Sequence, residues 1–564
     1  MSTASVYPLR DTRPPIAAQA MGLPSAHVDR FVIDRMPAPE ACAHMHYDLP
    51  ELQIADRANL VAALLDDAVH SKGWADRPML RSSKITLSYA DVLERVNRIA
   101  QVLVQDCGLV PGNRVLLRGG NSIGMALAWL GVVKAGLVAV ATMPLLRAKE
   151  LGEILDKAQP QLALCDAMLL DELQTACAAQ ATPCPTIAFN LMHAAGSLAV
   201  RAALKDDQFS ACNTRADDPA MMAFTSGTTG KPKAAVHTHR DILAAGQAWP
   251  RHVLGLTADD IVVGSPPLAF TFGLGGLLTF PMAFGASTYF PDAPHTPESL
   301  VDTIAQVGAT VCYTAPTFYR QAAVFAAATK LPSLRVCVSA GEALPQATRQ
   351  LWHAATGLHM LDGIGATEMF HIFISSRGET LPESPMGTAI GLAVPGYTAR
   401  VVDDAGNELP RGQVGKLAVT GPTSCKYLDD ARQSNYVKNG WNYPGDAFIQ
   451  DQAGYFFYQS RADDMIITSG YNVGAPEVED TLMQHPAVAE CAVIGKADAE
   501  RGMLVRAVVV LRAGHAPDAA MVKTLQEHVK ASIAPYKYPR ELVFVQQLPR
   551  TETGKLQRFK LRGD

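Results

Sequence analysis

Helical and strand-like segments alternate along most of this chain, and this alternation constrains the fold more than any other feature. From Leu60 onward, amphipathic runs such as YADVLERVNRIAQVLVQ and LGEILDKAQ alternate with short apolar runs such as NRVLLRG and QLALCD. The same order returns in ESLVDTIAQVG, ATVCYTA and RVCVSAG. Because parallel strands need a crossover connection that a helix usually supplies, the pattern predicts an α/β protein with parallel-rich sheets covered by helices.

Changes in composition divide the 564 residues into three predicted units. Residues 1–55 are rich in proline and alanine without periodicity, which predicts an irregular N-terminal arm. Residues 56–460 predict a large N-terminal domain, and within it the glycine-punctuated short strands of 384–460 predict a small antiparallel β subdomain. Residues 461–564 begin a new pattern that predicts a small α+β C-terminal domain.

One apolar run, Gly124–Leu146, is long enough to span a bilayer and carries a single charge, Lys134. It has two interpretations. The first is a membrane span. The second is a buried helix near 122–135, a glycine turn and a buried strand near 137–142. A lysine in the middle of the run, followed by Gly136, favours the second interpretation.

Charge and cysteine content argue against several functional classes. A formal net charge of −5 and a pI near 6.3 argue against general nucleic-acid binding, which needs a basic surface. The ten cysteines are scattered without a CxxC pair, so we expect reduced thiols, mostly core fillers, in a cytoplasmic protein. His44 and His46 are one candidate metal pair, but a polar patch in the arm is the stronger interpretation.

The run TSGTTGKPK carries the clearest chemistry. It is close to a nucleotide-binding P-loop, but Gly227 and Gly230 are separated by two residues rather than four, and Pro232 follows Lys231. Hydroxyl groups, approachable glycine backbone and lysine charge together suit the β- and γ-phosphates of ATP, whereas a plain polar turn would not need this order. The predicted phosphate-binding residues are Thr225, Ser226, Gly227, Thr228, Thr229, Gly230, Lys231 and Lys233.

This run resembles the phosphate loop of the adenylate-forming superfamily, which includes the acyl- and aryl-CoA ligases. Five further segments resemble family motifs in the family's order and spacing: SAGEALP, GIGATEM, GWNYPGDAF, SRADDMIITSGYNVGAPEVE and LPRTETGKLQR. The resemblance covers nearly everything after residue 60. It implies an enzyme that activates a carboxylic acid with ATP and then transfers the acyl group to CoA, releasing AMP and pyrophosphate. It also implies that the C-terminal domain is mobile and serves both half-reactions.

The resemblance implies a catalytic set of four residues. Lys555 would stabilise the negative charge that develops between the substrate carboxylate and the α-phosphate. Thr367 would hold the α-phosphate, and Glu368 would bind Mg²⁺, which bridges phosphates. Asp463 matches the hinge position between the two domains.

Further residues are implied to bind the nucleotide and CoA. Ile364 stands where the family usually has an aromatic residue that stacks on adenine, and CKYL at 425–428 replaces a Gly-Tyr pair, but neither departure removes a charged catalytic group. The implied entry for the pantetheine thiol is formed by Ser469, Gly470 and Tyr471. The implied adenine- and ribose-binding residues are Gly341, Glu342, Ala343, Asp362, Gly363, Ile364, Asp446 and Arg461.

The segment LDGIGATEMFHIFISS resembles benzoate–CoA ligases, and SPPLAFTFGLGG resembles the 2-aminobenzoate–CoA ligases among them most. Aromatic residues and glycines suit a narrow planar slot, in which His371 offers a polar contact to a ring substituent. HTHRD, beside the phosphate loop, is expected to border this pocket. The predicted acid-binding residues are Phe270, Phe272, Gly273, Gly341, Gly365, His371 and Ile372.

The resemblance leaves both the acid and the acceptor open. A hydroxybenzoate, a cinnamate-like acid or a medium-chain fatty acid is an alternative substrate, and a free-standing carrier protein is an alternative to CoA. A silent binding protein on the same fold and an ordinary ATPase are the remaining alternatives. The charged residues Lys231, Glu368, Asp446 and Lys555 argue against the silent protein. We expect no nucleic-acid or membrane partner and leave a homodimer open.

Overall fold

The computed structural model describes residues 23–182, 184–191, 194–225, 232–379, 381, 383–384, 387–461, 466–468, 471–498, 501–533, 535–550 and 556–562. Across these ranges the protein is a mixed α/β structure in which helices cover parallel-rich sheets. A smaller antiparallel sheet and a C-terminal α+β unit complete it. The predicted fold class is therefore confirmed.

The largest sheet has nine strands among the described residues. Its central six strands run parallel, and the strands at both edges run antiparallel to their neighbours. In spatial order the strands are Leu392–Ala393, Ile372–Ser375, Leu361–Gly365, Val336–Ser339, Val311–Thr314, Ile261–Gly264, Ser287–Tyr289, Pro78–Arg81 and Thr86–Ser88.

A second sheet has six strands in the described part of the chain. Its first five strands run parallel, and the last one, which follows the phosphate-binding run, turns back antiparallel. In spatial order the strands are Thr186–Phe189, Leu162–Asp166, Arg114–Arg118, Val138–Thr142, Pro219–Thr225 and Lys233–Thr238.

The predicted small β subdomain is an antiparallel sheet. Its strands are Thr398–Val402, Gly415–Thr420, Val437–Lys438, Trp441–Asn442, Asp446–Gln450 and Phe456–Arg461. A short hairpin, Glu383–Ser384 with Gly387–Thr388, stands beside it.

The strand Leu392–Ala393 differs from the prediction, because it lies within 384–460 but extends the nine-stranded sheet. Gly391, at φ +145°, precedes it, and a Cβ there would lie 2.0 Å from the Ser375 backbone. Only glycine permits so close an approach between two chain segments.

The C-terminal unit has its own sheet and its own apolar core. Its long central hairpin pairs Val488–Asp498 with Gly502–Leu511. Helices pack on one face of this sheet through buried side chains that include Val478, Leu482 and Leu525. The remaining strands are Ile466–Thr468, Tyr471–Val473 and Glu541–Phe544.

Several helices begin at a polar capping residue. Ser88 caps the helix Tyr89–Gln101 by accepting a hydrogen bond from the Asp91 N–H, while the Asp91 carboxylate accepts one from the Ser88 N–H. The α-helices are Asp67–His70, Tyr89–Gln101, Ile123–Lys134, Ala148–Ala158, Leu170–Ala178, Leu198–Ala203, His239–Trp249, Thr271–Leu274, Phe280–Phe284, Pro297–Val307, Pro316–Ala328, Gln346–Thr356, Gln433–Tyr436, Ala475–Met483, Ala519–Ser532 and Arg558–Leu561.

Shorter helical turns join these elements. The π-helical turns are Ala62–Asp66, Val102–Asp106, Pro250–Leu254 and Gly275–Thr279. The 3₁₀ turns are Ile33–Arg35, Pro39–Ala41, Pro50–Leu52, Ala167–Leu169, Thr367–Met369 and Pro535–Lys537.

The apolar run Gly124–Leu146 contains the buried helix Ile123–Lys134, then Gly136 at φ +75°, then the buried strand Val138–Thr142. The Lys134 side chain is fully buried, and its Nζ lies 2.7 Å from an Asp66 carboxylate oxygen. The predicted helix–turn–strand is thus confirmed. Among the described residues, no helix is both long and apolar enough to cross a bilayer.

Residues 23–55 follow an irregular path with short 3₁₀ turns. The Ala26 N–H donates to the Asp218 carboxylate, and the His44 N–H donates to the Gly440 carbonyl. This segment therefore touches both the second sheet and the antiparallel sheet. The described residues contain no cluster of three or more His, Cys, Asp or Glu side chains that could hold a metal, so His44 and His46 do not form part of one.

Candidate active site

Strand ends from both parallel-rich sheets open into one cleft of about 2700 Å³. Segments 546–550 and 556–558 of the C-terminal unit line the same cleft. In open α/β sheets, ligands bind outside the carboxyl ends of parallel strands, which is where this cleft lies. Residues that end or directly follow a strand and line the cleft include Met143, Thr225, Gly264, Ala340 and Gly365.

Glu368 lies in the cleft wall with a tyrosine and a lysine against its carboxylate. It sits on the 3₁₀ turn Thr367–Met369 and is only 8% exposed. The Tyr427 hydroxyl donates to Glu368 Oε1 at 2.5 Å, and Lys233 Nζ donates to the Tyr427 oxygen at 2.7 Å. Lys233 Nζ is also 3.5 Å from Glu368 Oε1. Desolvation, and then the Glu368 charge, raise the pKa of Tyr427, so the hydroxyl remains a donor.

The second carboxylate oxygen of Glu368 makes no hydrogen bond or ion pair to any residue in the described ranges. A hard carboxylate oxygen facing a cleft suits Mg²⁺, which is usually held by one or two carboxylates together with substrate phosphates. Because the described residues offer no three-ligand cluster, such an ion would need those phosphates as its remaining ligands. The residues present fit Mg²⁺ on these terms.

Thr367 is held from behind by a buried histidine. His237 Nε2 lies 2.7 Å from the Thr367 carbonyl oxygen, and the His237 ring packs edge-on against Phe370 at 5.4 Å. Burial lowers the pKa of His237 to about 4, so the ring is neutral near pH 7 and Nε2–H is the donor. The turn that carries Thr367 and Glu368 is therefore fixed on both sides.

The segment HTHRD does not border the acid pocket as expected, since none of residues 237–241 is among the described residues that line the cleft. Thr238 caps the helix His239–Trp249 and forms a capping box with Asp241, which turns this segment inward. Asp241 is 1% exposed and pairs with Lys426 Nζ at 2.8 Å. The Lys426 charge holds the pKa of Asp241 below its usual range despite burial.

The ribose-binding prediction falls on two paired strands. Asp446 and Arg461 are direct cross-strand partners, and Arg461 Nη1 lies 3.1 Å from Asp446 Oδ1. Arg461 Nη1 also donates to the Pro444 carbonyl at 2.8 Å. Both side chains line the cleft, and Asp446 is 7% exposed. The structure thus brings together two residues that the sequence separates by one hairpin.

The residues predicted beside adenine divide into two groups. Gly341 and Glu342 line the cleft, and the Thr317 hydroxyl donates to Glu342 Oε2 at 2.9 Å. Ala343, Gly363, Asp362 and Ile364 are not among the described residues that line it. Instead the Asp362 carboxylate is buried and ion-paired with Arg349 behind the wall.

The predicted acid pocket is an aromatic box around His371. Phe270, Phe272, Gly341, Gly365, His371 and Ile372 all line the cleft. The His371 ring contacts Phe280, Trp249 and Phe272 at centroid distances of 4.5, 5.3 and 5.5 Å.

Two of the predicted glycines serve the packing of this box. Gly273 is buried, and a Cβ there would lie 2.1 Å from the Pro267 carbonyl, so Gly273 allows close packing behind the pocket instead of lining it. A Cβ on Gly365 would lie 2.5 Å from the His371 carbonyl, so the pocket wall and the strand end are in backbone contact.

Both ring nitrogens of His371 are buried, and neither makes a well-aligned hydrogen bond to a described residue. Burial lowers the pKa of His371 to about 3, although a hydrogen-bonding interaction with the Phe272 backbone acts in the opposite direction. The ring is therefore neutral and presents one N–H donor and one nitrogen acceptor. Thr225, at the entrance of the phosphate-binding run, likewise buries a hydroxyl that has no described partner.

Several predicted residues lie outside the described part of the chain. They are Ser226, Gly227, Thr228, Thr229, Gly230, Lys231, Asp463, Ser469, Gly470 and Lys555. For Tyr471 the structure describes the backbone, in the strand Tyr471–Val473, and not the side chain. Their predicted roles stay predictions.

Sequence reasoning did not assign roles to four residues that hold the site. Tyr427 orients Glu368, His237 holds Thr367, Lys426 neutralises Asp241, and Arg349 neutralises Asp362. The segment CKYL offers one sequence signal for these residues, because the polar Lys426 and Tyr427 follow a buried run. This segment departs from the family's Gly-Tyr pair, but its sequence does not indicate that Tyr427 contacts Glu368.

Comparison with known proteins identifies the family. The model of the AMP-binding enzyme family matches residues 67–427, and the model of the AMP-binding enzyme C-terminal domain matches residues 477–555. Benzoate–CoA ligase from Thauera aromatica is 35% identical over 523 residues, which cover 91% of this chain and 97% of that protein.

Two solved structures are similar over nearly the whole chain. The anthranilate CoA ligase AuaEII, in complex with anthranoyl-AMP, has a TM-score of 0.84 and 32% identity, covering 91% of this chain and 98% of that one. ATP-bound MatB from Rhodopseudomonas palustris has a TM-score of 0.81 and 30% identity, covering 90% and 98%.

The fold and its cleft define an adenylate-forming enzyme of two unequal parts. The chain belongs to the AMP-binding enzyme family, and the predicted resemblance to the benzoate–CoA ligase group is confirmed. It is an AMP-forming acyl- or aryl-CoA ligase that uses a carboxylic acid, ATP and CoA.

Proposed function

We propose that this enzyme is an aryl-CoA ligase whose substrate is an aromatic acid with a hydrogen-bonding ring substituent, with 2-aminobenzoate as the best candidate. His371 is the observation that carries this proposal. Its neutral ring is enclosed by aromatic side chains, and beyond an interaction with the Phe272 backbone neither ring nitrogen makes a well-aligned hydrogen bond to a described residue. The similarity to a ligase crystallised with anthranoyl-AMP supports the same choice.

The expected substrate preference follows from the free-energy cost of leaving buried polar atoms without hydrogen-bond partners. An unpartnered buried donor or acceptor costs about 1–3 kcal/mol, and an amino or hydroxyl substituent can both donate to and accept from a neutral imidazole. Plain benzoate offers neither. We therefore expect about a tenfold or larger preference in kcat/KM for the substituted acid, since about 1.4 kcal/mol corresponds to a factor of ten.

The residues around the nucleotide receive proposed roles on chemical grounds. Glu368 Oε2 would hold Mg²⁺ against the departing phosphates, and Thr225 with Lys233 would contact those phosphates. Asp446 would accept the ribose hydroxyls, oriented by Arg461 at 3.1 Å. Thr367 would contact the α-phosphate. The units 1–55, 56–460 and 461–564 are proposed as arm, adenylation domain and mobile C-terminal domain, with Asp463 at the hinge.

The C-terminal unit is proposed to supply the remaining catalytic group, Lys555, and the entry for CoA past Ser469, Gly470 and Tyr471. Segments flanking Lys555 at 546–550 and 556–558 line the cleft, which supports this assignment. For Lys555→Ala we expect adenylation to collapse, while thioester formation from a supplied acyl-adenylate largely survives. Full adenylation by that variant would contradict the role.

A panel of acids tests the substrate proposal. The panel contains 2-aminobenzoate, benzoate, 4-hydroxybenzoate, cinnamate and octanoate, each assayed for pyrophosphate release and for CoA thioester. We expect 2-aminobenzoate to exceed benzoate by about tenfold or more in kcat/KM. Equal rates with octanoate and 2-aminobenzoate would contradict the aromatic assignment, and a clear maximum at 4-hydroxybenzoate would replace 2-aminobenzoate by that acid.

A matched pair of variants assigns the preference to His371. His371→Phe keeps an aromatic ring in the box and removes both polar atoms, so we expect the ratio of 2-aminobenzoate to benzoate to fall to within about threefold. His353→Phe is the control, because His353 is exposed on the helix Gln346–Thr356 outside the cleft. An unchanged ratio in His371→Phe would remove His371 from the explanation.

A further inference from the structure

Arg550 of the C-terminal unit contacts the large domain at the cleft. Its Nη1 lies 3.8 Å from Glu342 Oε1, and its Nη2 lies 3.0 Å from Glu490 Oε2. Glu342 follows the strand Val336–Ser339 of the nine-stranded sheet. Glu490 lies on the strand Val488–Asp498 of the C-terminal unit, and all three of these charged residues line the cleft. One guanidinium group therefore joins carboxylates that belong to the two parts of the enzyme.

The large domain's side of this contact is held by the helix Pro316–Ala328. The Thr317 hydroxyl donates to Glu342 Oε2 at 2.9 Å, and the other carboxylate oxygen is the one that pairs with Arg550. Three residues further along the helix, Arg320 Nη1 donates to Met483 Sδ of the C-terminal unit at 3.4 Å. The helix thus both orients the Glu342 carboxylate and touches the C-terminal unit directly.

The C-terminal unit's side of the contact is fixed by the packing around Arg550. Leu548 and Leu556, which lie on either side of it in the sequence, pack together with side chains of the long hairpin. Arg550 and Leu556 also form an isolated antiparallel bridge. Because Lys555 directly precedes Leu556, the chain positions on both sides of Lys555 are held together. The pair between Arg550 and Glu342 therefore relates both positions to the large domain.

The charges at this contact favour the observed arrangement of the two units. The planar guanidinium of Arg550 reaches two carboxylates with two different nitrogens, which a single ammonium nitrogen cannot do. Without that guanidinium, Glu342 and Glu490 would be two like charges near each other, which disfavours the arrangement. If the C-terminal unit rotates away, Glu490 moves with Arg550, and the pair with Glu342 is the one that breaks.

We propose that Arg550 is a positioning residue for adenylation, since it pairs with Glu342 only while the C-terminal unit lies against the cleft. The proposal rests on the proposed function, in which the same unit supplies Lys555 and then turns away for thioester formation. The adenylation rate depends on the fraction of the enzyme whose C-terminal unit is in the adenylation position. Loss of the pair lowers that fraction and leaves thioester formation unchanged.

The test measures the two half-reactions of full-length Arg550→Gln separately, with the acid that is most active in the substrate panel. We expect pyrophosphate exchange to fall by about 3- to 10-fold, at the lower end for contacting residues, because Arg550 and Glu342 are 28% and 22% exposed. Thioester formation from a supplied acyl-adenylate and CoA should stay within about twofold. Arg550→Lys, which keeps the charge, should recover part of the loss. A decrease in exchange of less than twofold, or equal decreases in both half-reactions, would overturn the proposal.

A double-variant cycle separates this contact from the predicted nucleotide role of Glu342. Glu342→Gln removes the charge but keeps an oxygen that can accept from the Thr317 hydroxyl. If the two side chains act as a pair, the double variant should be no more than about twofold slower in exchange than the slower single variant. Losses that multiply would show that Arg550 and Glu342 act independently, and they would also overturn the proposal.

Two reference variants distinguish the possible failures. Lys496→Gln removes an ion pair with Glu541 at 2.7 Å within the C-terminal unit, and neither residue is among the described residues that line the cleft. It should leave both half-reactions within about twofold. Full adenylation by Lys555→Ala would contradict the proposed function and this positioning role together. Loss of adenylation in Lys555→Ala, with exchange retained in Arg550→Gln, would overturn the positioning role alone.

Discussion

Tyr427→Phe is the substitution that tests the arrangement around Glu368 most directly. It removes one oxygen atom, and with it the 2.5 Å hydrogen bond to Glu368 Oε1 and the 2.7 Å hydrogen bond from Lys233 Nζ. The phenyl ring keeps the packing against Tyr436, whose centroid lies 5.9 Å away. The change is therefore close to a deletion of two polar contacts with the packing retained.

The expected magnitude follows from the charges involved. A hydrogen bond to a charged group contributes about 1.5–3 kcal/mol, and here the hydroxyl contacts a carboxylate and an ammonium group. Part of this loss is recovered, because Lys233 is already 3.5 Å from Glu368 and can move into direct contact. We expect a net loss of about 1.5–3 kcal/mol of transition-state stabilisation, which lowers kcat/KM for adenylation by about 10- to 150-fold.

The assay is exchange of labelled pyrophosphate into ATP in the presence of the acid, which reports adenylation alone. KM for the acid should stay within about twofold, because Tyr427 is not among the described residues that line the cleft. Tyr89→Phe is the control, since it removes a buried hydroxyl that donates to the Ala286 carbonyl at 2.9 Å outside the cleft lining. A decrease below threefold in Tyr427→Phe, with the fold intact by circular dichroism, would refute the reasoning.

Three further predictions concern stability and backbone contact. Burial holds the pKa of His371 near 3, below its ordinary value of 6.5. As the pH falls, His371 is therefore protonated in the unfolded state at a higher pH than in the folded state. The free energy of unfolding thus decreases as the pH falls from about 6.5 toward 3. Urea titrations should show that the free energy of unfolding of His371→Phe falls less steeply with decreasing pH than that of the parent, by about 1.4 kcal/mol per pH unit. Parallel plots of the free energy of unfolding against pH would contradict the buried neutral ring. Asp66→Asn should lower the free energy of unfolding by about 3–5 kcal/mol, because it leaves the fully buried Lys134 ammonium unpaired, whereas Lys134→Met should cost less. Equal losses in the two variants would contradict that asymmetry. Gly365→Ala should abolish most ligase activity, since its Cβ would lie 2.5 Å from a backbone carbonyl. Gly152→Ala is the control, because no atom lies nearer than 3.7 Å to a Cβ at that position. It should keep activity and raise the free energy of unfolding by about 0.5–1 kcal/mol. A fully active Gly365→Ala enzyme would show that the strand end can move apart from the pocket.

The sequence predicts the layers of this fold because the layers depend on local periodicity. The run Gly124–Leu146 illustrates this, since a glycine after a helix and an apolar five-residue strand suffice to interpret it. Lys134 looks anomalous in that run because its partner, Asp66, is distant in sequence. The pattern specifies which segments are buried, and the ion pair depends on how two helical turns pack.

The candidate site can be predicted from the sequence where its residues lie in motifs. It cannot be predicted where it depends on contacts between residues that are distant in the chain. Lys233 and Tyr427 are separated by 194 residues, and Tyr427 and Glu368 by 59, so no spacing rule connects them. They meet because the segment around Tyr427 pairs with Ala235, next to the strand end that carries Lys233. The expectation that HTHRD borders the acid pocket was wrong because the helix cap at Thr238 turns this segment inward, which its position beside the phosphate loop does not anticipate.

The π-helical turn Gly275–Thr279 gives the aromatic box an unusual dependence on chain length. A Cβ on Gly275 would lie 2.7 Å from the His371 ring, and one on Gly276 would lie 2.7 Å from the Tyr313 ring, so this turn is wedged between the two side chains. A π turn contains one residue more than an α-helical turn requires. Deleting that residue would rotate the upstream helix by about 100° relative to Phe280. Pocket shape in this enzyme can therefore be changed by an insertion or deletion of one residue, with every pocket side chain left as it is.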